Sequence, residues 1–286
     1  MNAVTPSPRP RAWRYMLEAL LPKAAPAPRM PDDLHVEWTQ YRPRRREVDD
    51  FACLCGLAPA AGALPPLLLH AIAFRAQMAL LTRRAFPLPI WRVLQVRNRL
   101  VDLEPVMPDA TLAFRCRVHA QRVVAKGLEV DLETCIDSGP LQVASSVNTF
   151  YVRSRVADGV VAARVPEPPT FTEERRHDWH VSRGGGYAFA RLTGDYNGIH
   201  LFDGYARRFG FPRAFLHPLR VVGQAIARAP GEPTGGPGTT EVWMKGPVLR
   251  DSDVYLRVGP DAAGNPVLAV HGQSDPRPAI VIRRGS

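Results

Sequence analysis

The sequence predicts an α+β fold in which two curved antiparallel sheets each wrap around a central helix. Helical runs followed by several strand-like runs occur twice in the 286 residues, and a proline-rich linker at Ala163–Thr170 lies between the two sets. Each half also contains one apolar helix-like run with proline in its first turn, a position that proline favours. Pairing the two sheets edge to edge would cover one otherwise exposed edge of each.

The first half is predicted to contain two helices and then four strands. Residues 46–57 have helical spacing, and residues 65–85 have the length and apolar density of a buried helix, with Pro65 and Pro66 in its first turn. Four strand-like runs rich in Val, Leu and Phe follow between residues 90 and 156. Apolar residues alternate with polar ones in the third of them, and Lys126–Gly127 is predicted to form a hairpin turn.

The domain boundaries follow from the linker and from the proline-rich start of the chain. Residues 1–30 carry six prolines and one helical stretch, so they are predicted to form an N-terminal extension that docks or frays. Residues 31–165 form the first predicted domain and residues 166–286 the second. The second domain is predicted to contain short helical pieces, a helix over residues 217–229 with Pro218 in its first turn, and four antiparallel strands.

Composition and charge narrow the class of protein. Hydrophobic residues make up 45% of the chain, and no apolar run approaches the roughly 20 residues that cross a bilayer. No signal peptide is recognisable, so the expectation is a cytoplasmic protein without membrane contact. The net charge of +10 suits nucleic acid, a membrane surface or a ligand with phosphates, such as coenzyme A. The one dense basic run, at residues 42–46, precedes an acidic one, and no nucleic-acid-binding signature surrounds it.

The four cysteines, at positions 53, 55, 116 and 135, show no metal-binding spacing. We expect all four to be reduced thiols in the core, and we expect neither a metal nor a cofactor.

Asp195, Asn197 and His200 form the strongest candidate site. Gly194 and Gly198 bracket a turn that can fold the carboxylate and the imidazole together. Such a pair can hold one water and act as acid and base, because one group accepts a proton while the other donates one. The Asn197 amide can donate a hydrogen bond without titrating. Asp and Asn are also common in turns and helix caps, so an ordinary polar loop is the alternative on these residues alone.

The residues around this turn resemble the hydratase-2 motif of MaoC-like dehydratases, which are hot-dog-fold enzymes acting on acyl thioesters. The matching residues in chain order are Phe189, Thr193, Gly194, Asp195, Asn197, Ile199, His200, Gly210, Phe211 and His217. Residues 64–81 and 86–100 are similar to the helix and first strand of the degenerate first hot dog in double-hot-dog members. The resemblance covers most of the chain beyond about residue 31.

The resemblance implies a double hot-dog fold and an (R)-specific hydratase or dehydratase. The substrate would be an enoyl or 3-hydroxyacyl thioester of coenzyme A or of an acyl-carrier protein. Asp195 and His200 would hold the catalytic water, and Asn197 would support the site. Gly194, His217 and Leu219 are the residues expected to contact substrate. Dimers are common in the family, but one double hot dog supplies both halves, so a monomer and a homodimer are both open.

Two positions depart from the family pattern. Gly198 replaces a proline, which loosens the turn but leaves its donors and acceptors intact. Pro218 replaces a glycine whose backbone N–H is expected to bind the thioester oxygen in the family, and proline has no N–H. The N–H of Leu219, a side chain or a shifted substrate pose could replace it. A non-catalytic acyl-thioester-binding protein and a thioesterase therefore stay open as alternatives.

Overall fold

The computed structural model describes residues 8–21, 34–57, 62–88, 90–157, 159–229 and 237–285. Within them, ten strands form one antiparallel sheet in the order β1-β3-β4-β5-β2-β7-β10-β9-β8-β6. The strands are β1 His35–Tyr41, β2 Val93–Asp102, β3 Leu112–Val124, β4 Gly127–Ser138, β5 Leu141–Arg153, β6 Arg175–Val181, β7 Gly238–Met244, β8 Ser252–Pro260, β9 Pro266–Gly272 and β10 Pro278–Gly285. The helices are α1 Ala12–Leu20, α2 Arg45–Cys55, α3 Pro66–Thr82, α4 Gly186–Thr193, α5 Asp203–Arg208 and α6 Pro218–Ile226.

The two halves of the chain meet where β2 pairs with β7. Asn98 of β2 lies opposite Val242 of β7 in this antiparallel pairing, so the sheet continues from one half into the other. Helix α3 packs against β1, β3, β4 and β5, whereas α6 packs against β9 and β10. The predicted α+β class is confirmed, and the two predicted sheets are hydrogen-bonded into one.

Helix α3 is buried on nearly its whole circumference. It contacts α1, α4 and α6 on the sides that the sheet leaves open, and Leu68, Ile72 and Leu80 are fully buried. This agrees with its sequence, because a helix that is apolar all round must be enclosed. Pro66 and Pro218 occupy the first positions of α3 and α6, as predicted from the sequence.

Two short strands were not predicted from the sequence. β1 and β6 have seven residues each and lie at the two edges of the sheet. β6 reads RRHDWHV, and only its last residue, Val181, is buried, so it lacks the apolar alternation that identifies a strand. Its antiparallel pairing with β8 is what identifies this segment as a strand.

Strand β4 is buried on both faces, although its alternation predicts one buried face. Val130 and Leu132 face the core, as predicted, but Glu129 and Asp131 on the other face are also buried. Arg97 donates to both Glu129 oxygens at 2.9 and 2.5 Å, and Arg122 bridges Glu129 and Asp131. Buried carboxylates need such partners, and the partners come from neighbouring strands that the local sequence does not identify.

The predicted linker lies between the end of β5 and the start of β6. No helix or strand covers residues 154–157 and 159–170, and the Trp243 indole donates to the Pro166 carbonyl at 3.2 Å. The predicted domain boundary at 165/166 stays a prediction, and residues 1–7 and 22–33 of the predicted extension lie outside the described residues. All four cysteines are free thiols. Cys55 and Cys116 are buried as predicted, whereas Cys135 is only partly buried and Cys53 is exposed, so the prediction of a core position is wrong for Cys53. The described helices are all too short or too polar to span a membrane.

Gly223 of α6 lies directly against Cys55 of α2. A Cβ atom at Gly223 would lie 2.6 Å from Sγ and 2.8 Å from Cβ of Cys55. We expect Gly223→Val to lower the free energy of unfolding by about 1–3 kcal/mol, because the two helices must separate. The shift of the urea midpoint measures this. Gly204→Ala is the control, since nothing lies within 4 Å of its added Cβ, and an equal loss in both variants would contradict the expectation.

Candidate active site

The candidate site lies in the turn between α4 and α5. Helix α4 ends at Gly194, whose φ of +73° is left-handed and favours glycine. The Asp195 amide donates to Oγ1 of Thr193 at 3.2 Å, and Oδ1 of Asp195 accepts the Asn197 amide at 2.9 Å. Oδ1 of Asn197 in turn accepts the Ile199 amide at 3.3 Å. The turn is thus held by its own short polar side chains, which bond to the backbone two residues away.

This turn brings the Asp195 carboxylate against the His200 imidazole. Oδ2 of Asp195 lies 3.4 Å from Nε2 of His200, and both side chains are almost completely buried. Nδ1 of His200 lies 3.1 Å from the Phe215 carbonyl oxygen. Because a carbonyl only accepts, Nδ1 carries a proton, so Nε2 can accept a second proton and, once it carries one, donate a hydrogen bond to the carboxylate.

His217 is a second imidazole beside the same carboxylate. It is the N-cap of α6, and its Nδ1 accepts the Leu219 amide at 3.2 Å. In neutral His217 the proton is therefore on Nε2, which lies 3.8 Å from Oδ2 of Asp195. The ring packs between Phe74 and Phe189, with centroid distances of 4.9 and 5.3 Å.

The electrostatics of the site favour an ionised Asp195 and a neutral His217. Burial acts to raise the pKa of Asp195, but the His200 hydrogen bond, the neighbouring imidazoles and the Asn197 amide outweigh it, so this pKa lies below its ordinary value. Burial, together with repulsion from His200, lowers the pKa of His217 to about 3. At neutral pH the ionised Asp195 carboxylate thus faces the His200 and His217 rings, and the His217 ring is uncharged.

The three polar residues open into a cavity that both halves of the chain line. The cavity has a volume of about 100 Å³, and Asp195, Asn197 and His200 lie on its polar side. Most of the apolar lining comes from the first half, from α3, from the end of the loop before β2 and the start of β2, and from β5. These side chains are those of Phe74, Met78, Leu81, Ile90, Val93, Leu94 and Phe150. Ile199, Phe215 and Pro218 of the second half add to the apolar lining, and Gln95 of the first half adds a polar group. The local sequence motif identifies only the polar side.

Two residues expected to contact substrate are already bonded within the protein. The Gly194 amide donates to the Ala190 carbonyl at 2.8 Å, and the Leu219 amide donates to His217. Leu219 is fully buried and is not among the residues that line the cavity, and its expected contact with substrate stays a prediction. His217 and Pro218 do line the cavity.

Two further residues contact the turn and were missed by the sequence analysis. The Tyr15 hydroxyl donates to the Gly194 carbonyl at 2.5 Å, and Arg75 donates to the Arg191 carbonyl at 2.5 Å. Both bonds join residues more than a hundred positions apart. No local sequence pattern identifies Tyr15. The one signal for Arg75 is the presence of an arginine within the otherwise apolar helix α3.

No group of three or more His, Cys, Asp and Glu side chains is arranged to hold a metal ion in the part of the chain that the structure describes.

The fold is shared with MaoC-like dehydratases of the hot-dog class. A MaoC-like dehydratase from Phytophthora capsici superposes with a TM-score of 0.72 and 16% identity, over 90% of this chain and 98% of that one. No known family model matches the chain. The predicted resemblance to MaoC-like dehydratases is confirmed by these solved structures and by the relative described next.

Mycobacterium tuberculosis has a protein that is similar to this chain in sequence and a solved structure that is similar in fold. The 3-hydroxyacyl-thioester dehydratase X of Mycobacterium tuberculosis is 25% identical over 162 residues, which span 55% of this chain and 56% of that protein. The chain thus matches about half the length of this curated relative. The crystal structure of HtdX from the same organism superposes with a TM-score of 0.73 and 21% identity, over 88% of this chain and all of that one.

The low pKa of His217 predicts a pH dependence of stability. The unfolded chain binds a proton at this residue below about pH 6.5, whereas the folded chain does so only near pH 3. Stability should therefore fall as the pH drops through this window, by up to about 1.4 kcal/mol per pH unit. Asp195 adds to this loss mainly below about pH 4, because its stabilisation is lost as the pH falls through its unfolded pKa of about 3.9 towards its lower folded pKa.

His217→Asn should remove this slope while keeping an N-cap acceptor for the Leu219 amide. Urea unfolding at pH 6 and pH 4 measures the difference, and we expect the wild type to lose about 2 kcal/mol more than the variant. His119→Asn, at a partly exposed histidine of β3, is the control and should behave like the wild type. Equal losses in the wild type and in His217→Asn would contradict a neutral buried His217.

Proposed function

We propose that this protein is an (R)-specific hydratase or dehydratase of enoyl and 3-hydroxyacyl thioesters, built as a double hot dog within one chain. The observation that carries the proposal is the buried Asp195 carboxylate facing His200 at the polar side of an apolar cavity. The similarity to a 3-hydroxyacyl-thioester dehydratase supports the same reaction class. In the double hot-dog arrangement, α3 and α6 are the two central helices.

The proposed chemistry places one water within hydrogen-bonding distance of both Oδ2 of Asp195 and Nε2 of His200. Water adds its oxygen to Cβ of the enoyl thioester, gives up one proton to this pair, and Cα receives a proton from it. Dehydration is the reverse, so no proton is gained or lost by the protein over a cycle. Because the water is held at one side of the cavity, it attacks one face of a flat enoyl group, and this accounts for a single stereochemical outcome.

The negative charge that develops on the thioester oxygen needs a hydrogen-bond donor. Pro218 lines the cavity but has no N–H, and the Leu219 amide bonds to His217. We assign the donor role to the side-chain NH₂ of Asn197. Its Oδ1 accepts the Ile199 amide, which fixes the orientation of the side chain, and the residue lines the cavity.

The apolar side of the cavity suits the acyl chain, and the net charge of +10 suits the phosphates of coenzyme A or of a carrier-protein prosthetic group. Phe74, Met78 and Phe150 would contact the acyl chain. The cytoplasmic location and the choice between a monomer and a homodimer stay predictions from the sequence.

A second candidate function is favoured by one observation. Since Pro218 offers no N–H and the next amide is already bonded, the protein could bind acyl thioesters without turning them over. Tight binding of an acyl-CoA that neither Asp195→Asn nor His200→Gln affects, with no reaction of the bound ligand, would identify this function.

Hydration of enoyl-CoA esters from crotonyl-CoA upward, followed by loss of absorbance at the conjugated double bond, tests the main proposal. Asp195→Asn and His200→Gln should each lower kcat by at least about a thousandfold, because each removes a proton-transfer group. Asp49→Asn, an exposed carboxylate on α2, is the matched control and should keep wild-type activity. A thiol-release assay run in parallel detects thioesterase activity, and thiol release without hydration would overturn the proposal.

Pro218→Ala supplies an N–H at the first position of α6. If the thioester oxygen lies near this helix end, the added donor should raise kcat by about tenfold, below the 10²–10³ that a native donor contributes. Pro66→Ala at the first position of α3 is the matched control and should leave kcat unchanged. An unchanged kcat in Pro218→Ala would place the thioester oxygen away from the start of α6.

A further inference from the structure

The N-terminal segment of the described chain is docked at both of its ends. At its start, Arg9 donates to Glu47 at 2.9 Å, and its guanidinium lies over the ring of Trp38 at 5.7 Å. Further along, Tyr15 and Ala19 on one face of α1 are buried. The opposite face carries Trp13, which is 62% exposed. The segment is thus held by one specific face.

Tyr15 reaches the end of α4 beside the site. Its hydroxyl is buried and donates to the carbonyl of Gly194, the residue directly before Asp195. A Cβ atom on Gly194 would lie 2.1 Å from this hydroxyl oxygen, so the glycine also makes room for it. The carbonyl belongs to the last turn of α4, where backbone carbonyls lack helical partners.

Arg75 binds the same helix end from the central helix α3. Arg75 is 5% exposed, and its guanidinium donates to the Arg191 carbonyl at 2.5 Å and to the Pro10 carbonyl at 3.3 Å. A cation at a helix C-terminus is favourable, because that end carries partial negative charge. One side chain therefore joins α4 to the segment that carries Tyr15.

We propose that Tyr15 is a positioning residue that fixes the turn carrying Asp195 at its distance from His200. The N-terminal segment is then part of the catalytic unit. This inference rests on the proposed function, since it concerns the same carboxylate. The Gly194 carbonyl that Tyr15 binds directly precedes Asp195 in the chain. A shift of Gly194 would therefore change the 3.4 Å distance between the Asp195 carboxylate and the His200 ring.

Removing the hydroxyl of Tyr15 changes no charge at the site. Burial raises the pKa of Tyr15 well above its ordinary value, so the hydroxyl is neutral over the working range. A change in the titration of Asp195 on loss of the hydroxyl therefore reports a change in geometry. Loss of contact with His200 raises the pKa of Asp195 towards its ordinary value, because that hydrogen bond helps to lower it.

The test compares Tyr15→Phe with Tyr151→Phe. Tyr151 of β5 also donates its hydroxyl to a carbonyl, that of Lys126 at 2.8 Å, but in an exposed position outside the described cavity lining. The two variants thus lose the same kind of bond. Amide hydrogen exchange of residues 193–200 and the kinetics of enoyl-CoA hydration are measured on the full chain.

We expect the amides of residues 193–200 to exchange at least about fivefold faster in Tyr15→Phe and at the wild-type rate in Tyr151→Phe. We also expect kcat to fall by about tenfold with KM changed less than about twofold. The acid limb of the kcat profile should move to higher pH in Tyr15→Phe alone.

Each outcome decides one claim. Unchanged exchange in Tyr15→Phe overturns the positioning role. Faster exchange with an unchanged kcat and acid limb also overturns it, since the bond would then hold the turn without affecting the carboxylate. A wild type without turnover on any enoyl-CoA counts against the proposed function, and the exchange arm still decides whether Tyr15 fixes the turn.

Discussion

A carboxylate enclosed beside two imidazoles is the constraint on which the site depends. Asp195 is 7% exposed, and burying a charge without partners would cost several kcal/mol. The protein meets this cost with the Asn197 amide at 2.9 Å and with His200 and His217 at 3.4 and 3.8 Å. Each of these partners belongs to a different piece of local structure. The buried charge therefore depends together on the polar turn, on the short 3₁₀ helix Gly198–His200 and on the start of α6.

Neither half of the chain forms the site alone. The second half supplies the carboxylate and the imidazoles, whereas the first half supplies the apolar side of the cavity and, through Arg75 and Tyr15, the hydrogen bonds at the end of α4. The sheet explains how this is possible, because β2 and β7 pair and hold the two halves in register. The apolar lining and the carboxylate and imidazole groups thus meet at the junction of the two halves.

The sequence predicted much of the architecture, because long apolar helices and alternating strands carry strong local signals. The α3 and α6 boundaries, the hairpin near Lys126 and the convergence of the polar turn all follow from residues close together in the chain. Strand β6, the buried Glu129 and the bond from Tyr15 could not be predicted in this way. Each depends on a partner distant in sequence, and a single sequence does not identify such pairs.

The joining of two unlike halves through β2 and β7 has a consequence for how the protein can change over evolution. In a symmetric dimer of identical subunits, every substitution appears twice and alters both sides of each interface. Here Met78 and Asp195 line one cavity but are encoded separately. Substitutions that reshape the apolar lining can therefore arise without altering the residues of the polar turn.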